Sequence, residues 1–490
     1  MRQAKTPLFT GLLEHAKRNP IQFHIPGHKK GMGMNPTFRE FIGENALSID
    51  LINIAPLDDL HHPKAMIKEA QDLAAEAFGA DHTFFSIQGT SGAIMAMIMA
   101  TCNPGDKIIL PRNVHKSVLA AVIFAGAIPV FIHPVMDESL GIAHGITPKA
   151  VGKALEKHPD AAAVLVINPT YFGIAGDLRE IVRTAHNYEI PVLVDEAHGV
   201  HINFHEEMPL SAMQAGADMA ATSVHKLGGS LTQSSILNVR EGLVDVNRVK
   251  TVLSMLTTTS TSYILLASLD AARQHLALNG HDLVERSIRL ANNAREQINQ
   301  IPRIRCIGTE ILGQPATHAM DPTKLLIHVR DLGITGWEVE NWLREKYNIE
   351  VEMSDLYNVL CFITAGDSEE TVGQLIKALT DLSVEFSHVE ATEPPAVTLP
   401  SIPVISLSPR DAFYAETEVV PLAEAAGRII TEFIMVYPPG IPIFMPGEVI
   451  TEENIQYIQE NLRVGLPVQG PEDETIQTIK VVKRQTAIGD

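Results

Sequence analysis

The chain has 490 residues, 45% of them hydrophobic, and a formal net charge of −20 at pH 7. This length and apolar content predict two or three globular domains; the charge argues against a nucleic-acid partner and is compatible with a small cationic ligand. Three widely spaced cysteines predict neither a disulfide framework nor a metal site and indicate a reducing compartment. Residues 1–20 lack an apolar signal segment and no later stretch is apolar enough to span a membrane, so we expect a cytoplasmic protein with no membrane partner.

The first sixty residues show no sustained hydrophobic period, and we interpret them as an N-terminal arm. They contain a turn-rich segment with two histidines and two lysines at residues 24–31, which is also typical of a solvated loop. Asp58 and Asp59 stand near the end of this arm. A helix is then predicted from Pro63 to Phe78, with Gly79 as its stop signal.

A glycine- and hydroxyl-rich turn, Gln-Gly-Thr-Ser-Gly at residues 88–92, follows a strand predicted over residues 84–90 and precedes an apolar helical run. Free backbone N–H groups and the helix dipole favour an anion at such a turn. Gly89, Thr90 and Ser91 are therefore candidate phosphate ligands. A plain N-cap by Thr90 or Ser91 explains the same residues nearly as well.

From residue 107 onwards, strand and helix patterns alternate along the chain. Runs of Val, Ile, Leu and Ala predict strands covered on both faces, hence a mostly parallel sheet built from βαβ units. Strands are predicted at residues 107–110, 129–132, 164–167, 192–194, 219–221 and 233–238, and helices up to residue 125 and at 148–157 and 178–187. Ligands gather at the carboxyl ends of such strands. These ends carry Thr90, Ser91, His115, Asn168, Asp195, His198 and Lys226.

Lys226 lies in the segment Ser-Val-His-Lys-Leu-Gly-Gly at residues 223–229, directly after an apolar run. A lysine that forms a Schiff base must be held out of bulk water, near groups that bind an anionic cofactor. Ser223 and His225 can reach a phosphate, and the two glycines allow a close backbone approach. Taken alone, the segment also suits an ordinary strand end.

The other polar strand-end residues have structural alternatives when they are taken singly. Asp195 could be a helix cap or a surface charge, and His115 and His198 could be hydrogen-bonded structural histidines. Together, however, an acid, imidazoles, phosphate donors and a lysine on one sheet edge form the set that pyridoxal 5'-phosphate requires. The sequence therefore predicts a site for this cofactor.

Several of these segments carry a resemblance to a known family; they lie at residues 88–92, 112–117, 168–171, 195–198 and 223–226. They resemble the pyridoxal-phosphate-dependent Orn/Lys/Arg decarboxylases, most closely the short, Bacillus-type biosynthetic arginine branch. The resemblance implies an α/β, aspartate aminotransferase-like fold (fold type I) with a mostly parallel sheet, a small α/β domain and a C-terminal α+β module. It also implies decarboxylation of L-arginine to agmatine and carbon dioxide, the first step of agmatine-route spermidine biosynthesis.

The resemblance also implies a role for each candidate residue. Lys226 would hold the cofactor as a Schiff base, and Asp195 would pair with its pyridine nitrogen. His115 would stack on the cofactor ring, and His198 would lie close to the cofactor beside Asp195. The phosphate would be held by Gly89, Thr90, Ser91, Ser223 and His225.

A hydroxyl-rich turn at residues 257–262 precedes a further predicted helix. In fold relatives the equivalent stretch reaches the partner subunit's cofactor. Thr259 and Ser260 are thus cofactor-binding candidates in a homodimer or higher homo-oligomer with shared active sites. A simple capping run explains this turn equally well.

Five parts are predicted along the chain: the arm at residues 1–60, a large cofactor-binding α/β domain at 61–265, a small α/β domain at 266–385, a proline-rich linker at 386–403 and a C-terminal decarboxylase module at 404–490. The small domain has predicted strands near Arg305 and Ile349 and at 325–329 and 359–363, and predicted helices at 336–346 and 369–382. Segments at 406–413, 437–442 and 445–448 resemble the family's C-terminal domain.

A small cationic amino-acid substrate calls for a carboxylate, and Asp58, Asp59 and Glu448 are the candidates. Each also fits a solvated surface acid. Lysine or ornithine as the substrate stays open, as do another fold type I reaction, such as that of an aminotransferase or aldolase, and a catalytically silent homologue. No arginine for a keto-acid carboxylate stands out in the small domain, which disfavours an aminotransferase. Lys226 and Asp195 disfavour a silent homologue.

Overall fold

The computed structural model describes residues 2–390, 399–436, 441–463 and 465–484. It divides into two compact units, Met1–Thr101 with Pro191–Glu285, and Cys102–Ile190 with Arg286–Asp490. The predicted linker at 386–403 and the segment at 437–442 lie partly outside the described residues. The five-part division given above stays a prediction.

Four strands of the first unit lie side by side in the order His82–Ser86, Ser235–Val239, Met219–Thr222 and Val192–Asp195. Met219–Thr222 and Val192–Asp195 are parallel, whereas Ser235–Val239 is antiparallel to both of its neighbours. The βαβ pattern therefore fails at Ser235–Val239. The reason is that the chain between it and Met219–Thr222 holds a single one-turn helix, Val224–Leu227, instead of a full crossover helix.

The helices of the first unit include the predicted one after the arm, which spans Met66–Phe78 and ends at Gly79 in the left-handed conformation, with φ of +72°. This C-cap confirms the predicted stop signal. The remaining helices are Pro7–Lys17, Pro36–Ile42, Glu44–Ser48, Gly89–Thr101, Ala212–Ala215, Val224–Leu227, Val246–Leu256 and the beginning of Tyr263–Ile298.

The helix Pro7–Lys17 was not predicted, although the arm carries signals for it. Proline occupies the first helical position, and Leu8 and Leu12, one turn apart, are fully buried. The carboxylate of Asp270 accepts the N–H groups of Leu8 and Phe9 at 2.9 and 3.2 Å, which satisfies two donors at the helix start. A single amphipathic helix without neighbours of similar period was too short to stand out.

The second unit contains three parallel strands in the order Ala163–Ile167, Lys107–Pro111 and Ile128–Ile132. Connecting helices confirm the βαβ prediction for this part; they span Lys116–Ala125, Pro148–Lys157 and Leu178–His186. A second, antiparallel sheet follows, with strands in the order Arg305–Cys306, Lys324–His328, Asn358–Phe362 and Met353–Ser354 and with helices Gly336–Tyr347 and Glu369–Glu385.

The strand predicted near Ile349 begins instead at Met353. Asn348 ends the preceding helix in the left-handed conformation, with φ of 53°, and the N–H of Ile349 donates to the carbonyl of Leu343 at 3.2 Å. Ile349 therefore belongs to the helix C-terminus and is not free to enter the sheet.

The rest of the second unit is built from short elements around a small apolar core that includes Ile434, Phe444 and Ile458. Its strands pair as Thr417–Pro421 with Thr478–Val482, and as Ile441–Phe444, Ile434–Val436 and Val468–Gln469; its helices are Pro409–Tyr414 and Glu452–Arg463. Two-residue strands pair as Met136–Asp137 with Ile142–Ala143 and as Ile174–Ala175 with Ala319–Met320. Within the described ranges, no helix combines the length and the apolar character that a membrane crossing requires.

Candidate active site

Lys226 lies in the one-turn helix Val224–Leu227, which follows the strand Met219–Thr222. The residue is exposed, so the expected shielding of this lysine from bulk water is not present within the single chain. Its Nζ atom is 2.7 Å from Nε2 of His198, a buried residue that follows the neighbouring parallel strand Val192–Asp195. The structure thus brings together a lysine and a histidine that the sequence placed on different strand ends. An imidazole nitrogen at this distance can exchange a proton with the lysine amine.

Asp195, the last residue of the strand Val192–Asp195, is 5% exposed. Its Oδ1 atom accepts the backbone N–H of Ala197 at 3.2 Å. Burial raises the pKa of Asp195 to about 6, although the Ala197 hydrogen bond and the positive charge of Lys226 both act to lower it. A cationic partner would therefore stabilise the ionised form of this buried acid.

Three buried hydroxyl groups meet at the start of the helix Gly89–Thr101. Oγ1 of Thr90 is 2.9 Å from Oγ of Ser235 and also forms a hydrogen bond with Oγ of Ser223. The preceding strand ends at Ser86, not at residue 90 as predicted, so Gly89, Thr90 and Ser91 form the first helical turn. N–H groups of a first turn have no intrahelical acceptor, and the helix dipole favours an anion there.

Sequence reasoning missed Ser235 as a member of this group. Ser235 is fully buried and begins the antiparallel strand Ser235–Val239. The carbonyl of Gln233, which has a positive φ of 81°, accepts the N–H of Gly89 at 2.9 Å and ties this segment to the same turn. The available signal was the polar run Gln-Ser-Ser that precedes an apolar strand.

The remaining cofactor candidates lie in different surroundings. Nδ1 of His225 is 2.9 Å from the carbonyl oxygen of Ser234, and the ring is half-buried. Thr259 and Ser260 are exposed in the turn before the helix Tyr263–Ile298. His115 belongs to the second unit, where it is exposed and its Nδ1 accepts the N–H of Ser117 at 3.2 Å at the start of a helix.

Two of the three candidate substrate acids have structural surroundings that do not fit the hypothesis. Glu448 is fully buried, and its two carboxylate oxygens accept hydrogen bonds from Arg112 at 2.5 and 2.8 Å. Asp58 is buried as well, and its carboxylate accepts backbone N–H groups, including those of Ala65 and Ile67 at 2.8 and 2.9 Å. We therefore withdraw Glu448 and Asp58 as substrate ligands. The sequence could not reveal these hydrogen bonds, because the presence of an acidic residue does not show whether its side chain is buried.

Asp59 is half-buried, and its Oδ1 accepts the N–H of His61 at 3.0 Å. Of the three acids, only Asp59 is partly exposed to solvent. It therefore stays a candidate for contact with the substrate.

The structure also brings together a group that the sequence did not suggest, formed by His205, Glu206 and His281, whose ligand atoms lie within 4.8 Å of one another. These side chains are already paired: Nε2 of His281 is 3.3 Å from Glu206, and Nε2 of His205 is 2.8 Å from Glu285. We assign no ion to this group.

The first-unit residues fit pyridoxal phosphate by the chemistry of their donors. An amine with a proton acceptor, a buried acid, and hydroxyl groups at a helix N-terminus match its aldehyde, its pyridine nitrogen and its phosphate. A family model described as the major domain of Orn/Lys/Arg decarboxylases matches residues 6–371, and the model of the C-terminal domain matches residues 397–474. The chain belongs to the Orn/Lys/Arg decarboxylase family. It is a decarboxylase, and its cofactor is pyridoxal phosphate.

Individual relatives agree with this assignment. The arginine decarboxylase of Bacillus subtilis (strain 168) is 66% identical over 489 residues, which covers 100% of both chains. The crystal structure of the Francisella novicida lysine decarboxylase LdcF superposes with a TM-score of 0.84 at 23% identity, covering 98% of this chain and 82% of that one. Sphingomonas wittichii serine palmitoyltransferase, at 17% identity, a TM-score of 0.55 and coverage of 74% and 86%, shares the fold. The predicted α/β, fold type I class is thereby confirmed.

Proposed function

We propose that this decarboxylase converts L-arginine to agmatine and carbon dioxide. The observation that carries the proposal is the 66% identity over 489 residues to a protein named arginine decarboxylase. The Lys226–His198 pair beside buried Asp195 supports it from the side of the chemistry. We extend the proposal to a cytoplasmic location and to the use of agmatine in spermidine biosynthesis, as the sequence resemblance implies.

Lys226 is proposed as the residue that attaches the cofactor. When bound, the cofactor supplies a sink for the electron pair that remains at Cα when carbon dioxide leaves. An amine must be neutral to attack a carbonyl carbon, and Nε2 of His198, 2.7 Å from Nζ of Lys226, is placed to accept its proton. We propose that the same pair later returns a proton to Cα of the product.

Asp195 is proposed to keep the pyridine nitrogen protonated. Burial favours the neutral form of this carboxyl group, and a cation beside it favours the ionised form again. An ion pair formed at a position that is 5% exposed is weakly screened by water, so the proton on the nitrogen is held strongly.

The phosphate is proposed to bind at the first turn of the helix Gly89–Thr101. Thr90, Ser91 and Ser223 offer N–H groups and hydroxyls there, and the buried Ser235 holds the Thr90 hydroxyl in place. The N–H of Gly89 is already bound to the carbonyl of Gln233, so Gly89 is proposed to contribute only a close backbone approach. His225 completes the set on the Lys226 side. The stacking role of His115 and a substrate contact by Asp59 rest on the sequence resemblance and on the chemistry of the side chains.

We propose that the active unit is a homodimer in which Thr259 and Ser260 reach the cofactor of the partner copy. The arm supports this, because it exposes large apolar side chains, with Phe23 at 95% and Phe41 at 84% exposure. Residues 15–39 carry five Lys or Arg and no Asp or Glu, in a chain of net charge −20. An apolar and basic arm complements an acidic second copy.

The dimer is tested by sedimentation of two variants. The double variant Phe23→Glu with Phe41→Glu should shift sedimentation towards the monomer. Phe413→Glu, which changes an exposed phenylalanine of the second unit, should not.

The substrate is tested by release of carbon dioxide from purified protein with added pyridoxal phosphate, comparing L-arginine, L-lysine and L-ornithine. We expect arginine to be preferred and agmatine to accumulate. Lys226→Ala should lower the rate by about a thousandfold or more, since it removes the nucleophile. Lys250→Ala, a change at an exposed lysine of the same unit, is the control and should leave the rate unchanged.

Other results would redirect the proposal. Preference for lysine or ornithine would contradict the substrate and leave the residue roles standing. No release from any of the three, in a protein that still shows Lys226-dependent cofactor absorbance, would contradict arginine decarboxylation itself.

A further inference from the structure

Glu196 directly follows Asp195 and is 3% exposed. Its Oε1 atom accepts the N–H of Ala212 at 2.6 Å, and its Oε2 atom accepts the hydroxyl of Thr222 at 3.0 Å. Its own N–H donates to the carbonyl of Ala221 at 3.0 Å. Both backbone and side chain of Glu196 therefore bind the end of the strand Met219–Thr222.

These bonds join the carboxyl ends of two parallel strands. Val192–Asp195 ends at the acid proposed to pair with the pyridine nitrogen, and Met219–Thr222 leads directly into Ser223 and Lys226. A side chain that spans both ends fixes the separation between that acid and that lysine. Such positioning matters, because catalytic groups must be held within about half an ångström of their working geometry.

We infer that Glu196 is a positioning residue of the cofactor site, which holds Asp195 in register with the Ser223–Lys226 segment through Thr222 and Ala212. The inference rests on the proposed roles of Asp195 and Lys226. Glu196 does not itself touch the cofactor in this assignment. Burial also raises the pKa of Glu196 to about 7, and the neighbouring charge of Asp195 adds to this rise.

The chain offers a matched control at the opposite ends of the same two strands. Asp218 is 2% exposed, directly precedes the strand Met219–Thr222, and accepts the N–H of Val192 at 2.7 Å through Oδ2. Asp218 therefore ties the amino ends of the strands as Glu196 ties the carboxyl ends. A general loss of stability should follow from either change, whereas a loss of cofactor geometry should follow from Glu196 alone.

The experiment measures cofactor dissociation and the absorbance of the lysine-bound cofactor for the unaltered chain, Glu196→Ala, Glu196→Gln, Thr222→Val and Asp218→Ala. We expect Glu196→Ala to weaken cofactor binding by about tenfold or more, as loss of a supporting partner does. Glu196→Gln, which can still bond Ala212 and Thr222, should restore binding to within about threefold. Asp218→Ala should lower the unfolding temperature without changing the absorbance. Thr222→Val, which removes one of the two bonds, should lie between, and keeps the test open if Glu196→Ala does not fold.

Two outcomes would overturn the inference. Cofactor binding by Glu196→Ala and Thr222→Val that equals that of the unaltered chain would show that the bridge does not position the site. An equal loss in Asp218→Ala would show that strand stability alone is responsible. If the unaltered chain lacked Lys226-dependent absorbance, the proposed function would fail and this inference with it; that result differs from the first two, in which the unaltered chain binds normally.

Discussion

Two buried carboxylates, Glu448 in the second unit and Asp195 in the first, show how differently burial can be used. Glu448 is matched by the guanidinium of Arg112 through two hydrogen bonds and receives the N–H of Met445 at 2.8 Å. Asp195 accepts the N–H of Ala197, and the positive charge of Lys226 acts to lower its pKa. Glu448 therefore completes an internal ion pair, whereas the ionised form of buried Asp195 would be stabilised by a cationic ligand.

The largest effect is expected when the Glu448 pair is broken. Glu448→Ala leaves the guanidinium of Arg112, which is 2% exposed, without its carboxylate, and should lower the free energy of unfolding by about 3–5 kcal/mol. Denaturant titration measures this change. Glu418→Ala, which removes the partly exposed partner of Arg428 in the same module, should cost much less, because solvent screens that pair. Equal losses in the two variants would contradict the distinction.

Asp195→Asn should lower the activity strongly without lowering the stability. The amide keeps the shape of the side chain but cannot hold a proton on the pyridine nitrogen, so arginine decarboxylation should fall by about 10²–10³-fold. The unfolding free energy of the cofactor-free protein should stay the same or rise, because a buried ionisable group has been replaced by a neutral one. Steady-state rates and denaturant titration of the same preparation measure both. A variant that lost stability and kept its rate would reverse the proposed assignment.

A smaller effect on stability, specific to Asp195, should depend on pH. Because the folded-state pKa of Asp195 is raised to about 6, the folded chain binds this proton more tightly than the unfolded chain does. Its contribution to stability is therefore complete below the ordinary carboxyl pKa and is lost as the pH rises through about 6. The cofactor-free protein should lose on the order of 1 kcal/mol between pH 4.5 and 7.5 relative to Asp195→Asn. A flat difference would contradict the raised pKa.

Sequence reasoning was strongest where local pattern decides structure. The helix predicted at residues 148–157 forms as Pro148–Lys157, since a threonine cap, a first-turn proline and a regular apolar face all agree. The direction of Ser235–Val239 was not predictable in the same way, because an apolar run predicts a strand without stating which neighbour it joins.

The same limit applies to the candidate site. Asp195, His198 and Lys226 could be chosen from their motifs, but the 2.7 Å contact between the last two depends on the packing of two strands distant in sequence. Ser235 escaped notice because a serine at a strand start has many ordinary explanations. Glu448 was assigned to a substrate because its charge was visible in the sequence and its partner, 336 positions away, was not.

The donors of Arg112 have a practical consequence for anyone who prepares this protein. Besides Glu448, the guanidinium donates to the carbonyls of Pro442 and Ile443 at 2.7 and 3.0 Å, so these three acceptor residues lie in one short stretch of the C-terminal module. A gene shortened to end before that stretch would encode a chain in which Arg112, directly after the strand Lys107–Pro111, has lost its carboxylate partner and both of these carbonyl acceptors. The region matched by the first family model therefore depends on contacts from the region matched by the second. We expect a chain shortened in this way to aggregate.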